Sequence, residues 1–88
     1  MISAIHAANV AYYTSLAYSS SYSMIRNNMT RMSLLRNCSN MSFQGLAEAE
    51  RNLELQYMQQ SLQNKIANIM LKNLKEKEKQ EQHINTYA

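Results

Sequence analysis

Residues 46–74 read LAEAERNLELQYMQQSLQNKIANIMLKNL, with neither glycine nor proline to interrupt them. At about 100° per residue, Leu46, Ala49, Leu53, Tyr57, Ala67, Leu71 and Leu74 gather on one side of a helix. Leu55, Met58, Leu62, Ile66 and Ile69 gather on the opposite side. Asn52, Gln56, Gln59 and Gln63 form one polar flank between the two stripes; Glu54, Ser61, Lys65, Lys72 and Lys79 form the other. A surface helix in a monomer carries one apolar stripe. One partner helix covers one stripe, so a second surface is needed for the other.

Upstream of this stretch, residues 37–45 read NCSNMSFQG, a run dense in turn and cap formers that ends on the only glycine of the chain. About 35 residues without a breaker precede it and about 40 follow, the layout of two helices joined by a short turn. The expected fold is therefore all-α: an antiparallel helical hairpin that completes a bundle with another chain. Its single domain spans residues 1–88, with helix 1 over about 2–36, the turn over about 37–45 and helix 2 over about 46–82. Ser39, Asn40 and Ser42 are the alternative caps for the second helix. With no proline and one glycine, a turn-punctuated β-sandwich or barrel is excluded. With one cysteine, no intramolecular disulfide staples the chain.

The first helix is less regular. Ile5, Ala8, Tyr12 and Leu16 share a side, whereas Tyr18, Tyr22, Ile25, Met29 and Met32 repeat at 4-3-4-3 spacing on a rotated stripe. The changeover falls in Ser19-Ser20-Ser21, where serine competes for backbone hydrogen bonds. A continuous helix and one broken there both fit this pattern. The hairpin core expected from the two helices comprises Leu46, Leu53, Tyr57, Leu71 and Leu74 with Ile25, Met29 and Met32, and the turn is marked by Phe43 and Gly45. The second stripe of helix 2, Leu55, Met58, Leu62, Ile66 and Ile69, is expected to face another chain.

The net charge of +3 is unevenly placed. Residues 1–47 hold no acid and carry Arg26, Arg31 and Arg36, while all six glutamates lie between Glu48 and Glu81. The arginines step around the helix instead of forming a stripe, which is a poor nucleic-acid footprint. The polar face of helix 1 is Ser, Asn and Thr, whereas a membrane-surface helix is rich in Lys and Arg there. The opening MISAIHAANV lacks the basic start of a secretory signal peptide. A cytoplasmic location and export by a route without a cleaved leader both fit, and the sequence does not choose between them. The alternating tail Lys75-Glu76-Lys77-Glu78-Lys79 is read as a solvated helical end.

No reactive constellation emerges. Cys38 sits in the turn, while in a hairpin His6 and His83 both lie at the far end, so a thiol–imidazole pair within one chain is ruled out by distance. His6 and His83 are two ligands where a structural zinc site takes four. The glutamates lack the Glu-x-x-His pattern of di-metal bundles. No catalytic residue, metal, cofactor or small-molecule substrate is expected.

The stretch Ser42-Phe43-Gln44-Gly45-Leu46 places an aromatic-x-Gly between two helices of similar length. In this it resembles the small WxG helical-hairpin family of type VII secretion substrates, with Phe43 where that family has tryptophan. Tyr57 is followed four places on by Ser61, where the family's export motif has an acid. The resemblance implies an antiparallel hairpin that pairs into a four-helix bundle and is exported without a cleaved signal peptide. The residues and the resemblance together lead to one expectation: a non-catalytic helical protein that self-associates or pairs with a similar helical partner, as a small secretion substrate or an assembly subunit. The alternative is a basic helical adaptor for nucleic acid or an anionic membrane surface.

Overall fold

The computed structural model describes residues 3–87, and the side chains of residues 3–81. Helix α1 spans Ala4–Arg36, a 3-10 turn spans Cys38–Asn40, and helix α2 spans Phe43–Tyr87. The two helices run antiparallel and form a rod with extents of 69 × 16 × 13 Å. Residue 2, the expected start of helix 1, and the side chain of His83 lie outside the described residues.

Each boundary has a local cause. Ser3 caps α1, its Oγ accepting from His6 N–H at 3.0 Å. At the other end the Asn37 backbone N–H closes on Ser33 and Leu34 carbonyls, and its side-chain amide donates to Ser33 O at 3.0 Å. Met41 is extended, and Ser42 then caps α2 by accepting from Gly45 N–H at 3.0 Å. Of the three alternative caps, Ser42 is thus the one used. Phe43 and Gly45, expected in the turn, belong instead to the first turn of α2, because the cap lies ahead of them. Gly45 has no left-handed backbone; a Cβ there would meet Ser42 Oγ at 3.1 Å, so the glycine makes room for the capping hydroxyl.

Helix α1 is continuous through Ser19–Ser21. The hydroxyls of Ser19 and Ser20 donate back to Leu16 O and Ala17 O within the helix, so they bond to the preceding turn without ending it. Helix α2 runs past its expected end to Tyr87.

The contact between the helices follows a 4-3 repeat. On α1, the buried and half-buried residues include His6, Val10, Tyr13, Ala17, Ser20, Met24, Asn27, Arg31 and Leu34. On α2, they include Leu46, Glu50, Leu53, Tyr57, Gln60, Asn64, Ala67, Leu71, Leu74 and Glu78. This is the seam of a two-stranded antiparallel coiled coil. Leu46, Leu53, Tyr57, Leu71 and Leu74 all lie in it. Ile25, Met29 and Met32 do not: they are 59%, 64% and 55% exposed, which corrects their assignment to the hairpin core.

Polar satisfaction accounts for that correction. Asn64 shares the α2 seam with the leucines and Asn27 lies in the α1 seam, and an amide taken out of water needs partners. Asn64 Nδ2 lies 3.1 Å from Ala17 O, 3.1 Å from Ser20 Oγ and 2.8 Å from Ser21 Oγ. Asn27 Nδ2 donates to Leu53 O at 2.9 Å. Turning the stripe from Tyr18 to Met32 inward would remove both sets of partners. Glu78 likewise departs from the solvated tail expected for it: its Oε1 meets His6 Nε2 at 2.8 Å across the open end of the hairpin.

Two substitutions test this seam by urea denaturation. Asn64→Ala should lower stability by about 1–2 kcal/mol, because it removes the cross-helix amide. Gln60→Leu should raise the midpoint, because Gln60 Oε1 is buried without a hydrogen-bond partner and such an acceptor costs about 1–3 kcal/mol.

Candidate interaction surface

Fifteen large apolar side chains of the described residues are exposed. Ala67 is the one buried hydrophobic residue among those described, and it is fully enclosed; the other buried residues are His6, Ser20 and Asn27. Large apolar side chains instead form two outward stripes. Tyr18, Tyr22, Ile25, Met29 and Met32 make the α1 stripe, and Leu55, Met58, Leu62, Ile66 and Ile69 the α2 stripe, the latter 46% to 60% exposed. The chain therefore leaves the expected interface residues of helix 2 uncovered, together with an α1 stripe whose Ile25, Met29 and Met32 were expected in the core.

Helix geometry sets each stripe opposite the seam. Tyr22 is two residues from both Ser20 and Met24, and Leu62 is two from both Gln60 and Asn64. Two residues turn a helix by about 200°, so the stripes point away from the partner helix. Both are notched. One shallow cleft lies among Tyr57, Met58, Ser61, Leu62 and Lys65 on α2, and another among Tyr22, Ile25, Arg26, Met29 and Ser33 on α1. Notches between ridges on a single helix suit the side chains of a third helix. The Arg26 guanidinium lies 5.9 Å from the Tyr22 ring centroid, at the edge of the α1 stripe.

Charged contacts across the hairpin are sparse. Arg31 Nε approaches Glu50 Oε1 at 3.9 Å, with both side chains 42% exposed, a pair that contributes little in water. Cys38 is half-buried in the turn, its Sγ 3.2 Å from Leu35 O, at the far end of the rod from His6. Phe43, at 89% exposure, packs on little of its own chain. Among the described residues, no group of three or more His, Cys, Asp or Glu gathers where a metal ion could be held, and no helix is long and apolar enough to cross a membrane.

No protein-family model, no curated protein and no solved structure matches this chain.

The division into seam and outer face has a direct thermodynamic readout. In dilute solution Leu53→Ala should cost about 2 kcal/mol of unfolding free energy, while Ile25→Ala should stay within about 0.5 kcal/mol of the parent. Chemical denaturation of both variants at the same dilution checks the contrast.

Proposed function

We propose that this chain is a non-catalytic helical subunit that associates, through its outward apolar stripes, with a second copy of itself or with a hairpin of the same kind. The observation that carries the reading is where the large apolar side chains lie. Ten of them line the two outward stripes, while three of the four buried residues, His6, Ser20 and Asn27, are polar. Burying a Leu or Ile side chain contributes about 1.5–3 kcal/mol, so four or five left in water forfeit about as much as a small domain's whole margin. The accessible surface of 7157 Å² also exceeds the roughly 5,300 Å² of a compact monomer of this mass.

The two-helix layout with Phe43-Gln44-Gly45 beside the bend supports extending this reading to a small exported substrate or assembly subunit of a secretion system. A second reading, a basic adaptor for nucleic acid or an anionic membrane surface, is favoured by one observation: Lys65, Lys72 and Lys79 are all exposed along one flank of α2.

Light-scattering mass over a concentration series tests the first reading. The parent should exceed the mass of one chain, and Leu62→Asp should return it to one chain with its helicity intact. A parent that stays at 10.2 kDa throughout would sink self-association. Salt separates the two readings. Binding through the lysine flank should weaken steeply from low to physiological salt, whereas association through the stripes should hold or strengthen.

A further inference from the structure

The seam sets how the two outward stripes lie relative to one another. His6 stands opposite Glu78, and Ser20 opposite Asn64. Continuing that register, one residue up α1 for each residue down α2, puts Tyr18 level with Ile66, Tyr22 with Leu62, and Met29 with Leu55. Ile25 falls one residue from the level of Met58. The stripes are thus at the same height on opposite sides of the rod. Arg36 and Glu48, both exposed and on the same outward rows as Tyr22 and Leu62, are level as well.

From this match we propose that hairpins of this chain add side by side, the outward face of α1 in one copy packing on the outward face of α2 in the next. This rests on the reading of the stripes as association surfaces and names their occupant. A copy displaced sideways without rotation repeats the antiparallel register of the hairpin. It sets Tyr22 on Leu62 and Met29 on Leu55, with Arg36 beside Glu48.

Symmetric pairings meet opposition from the same residues. Glu48 and Glu76 are equally far from Leu62 along α2, so two α2 faces crossing antiparallel at Leu62 would set glutamate against glutamate. Two α1 faces would gather the arginines of both copies with no acid on either helix to pair with them. Each symmetric dimer would also leave the other stripe in water. The side-by-side contact is heterologous, so it continues from copy to copy until it closes as a ring or extends as a ribbon.

Complementary variants test the geometry. Tyr22→Asp blocks only the α1 face, and Leu62→Asp only the α2 face. Each variant alone should run as a single helical chain. An equimolar mixture should double that mass and stop there, joining the intact α2 face of one to the intact α1 face of the other. If Tyr22→Asp or Leu62→Asp alone forms a dimer, or the mixture stays single while the parent assembles, the side-by-side arrangement is wrong and the stripes remain association surfaces. A parent that never assembles removes the side-by-side arrangement together with self-association.

Cross-linking gives an independent check that does not depend on the charged variants folding. In a Cys38→Ser background, chains carrying Met29→Cys and Leu55→Cys are mixed and treated with a short bis-maleimide. The mixed 29–55 product should dominate. A dominant 55–55 or 29–29 product would overturn the arrangement.

Discussion

The cross-helix amide of Asn64 and the buried side chains around it govern this hairpin. Asn64, Asn27 and His6 find their partners in one register only: Ser20 and Ser21, the Leu53 carbonyl, and Glu78. Each bond contributes only about 0.5–1.5 kcal/mol net, but leaving its donor or acceptor buried and unpaired costs more. The seam therefore discriminates among registers better than it stabilises any of them. Such use of buried polar groups is well attested in coiled coils, where a single seam asparagine sets alignment. Ala17, Ser20 and Ala67 contribute by size, letting the backbones approach closely enough for side-chain amides to reach carbonyls on the opposite helix.

This constraint explains which parts of the fold were legible in the sequence. The bend and the two long helices followed from one glycine, no proline and a cap-rich run, which are local signals. So did the leucine face of α2, whose seam residues carry enough apolar weight to show a stripe. The α1 seam was hidden because its repeat from His6 to Leu34 is built of His, Ser, Asn and Arg among small and apolar residues. A hydrophobic period cannot see it, and the stronger stripe from Tyr18 to Met32 took its place. The 4-3 spacing of the small and amide residues was present, but only their hydrogen-bond partners on the other helix give it meaning. Glu78 was misread for the same reason: within the Lys–Glu tail nothing local separates it from Glu76.

In the proposed assembly, fold and association are coupled. Because the seam holds α1 and α2 at one height, it also aligns the outward stripes, although no residue of either stripe takes part in the seam. A slide of one helix by a turn would misalign Tyr22 from Leu62 on the outside while stranding Asn64 within. The polar seam thus acts on the arrangement of surfaces that it does not touch. Its modest stability is offset if the outer faces are covered by further helices, since those faces hold ten of the fifteen exposed large apolar side chains among the described residues.

The quantity of surface is in keeping with this division. The rod exposes about 1,800 Å² more than a compact monomer of its mass, an excess inherent in two helices with no third layer. A stable protein–protein interface buries about 1,200–2,000 Å² in total, shared between its partners. A hairpin that gives up area on both outward faces takes part in two such interfaces and sheds an excess of this size. A symmetric dimer would reach half of it and leave one stripe to the solvent. The hydrophobic term thus favours arrangements in which both faces are covered, and in the proposed assembly the hydrogen-bonded seam is what gives those faces matched heights.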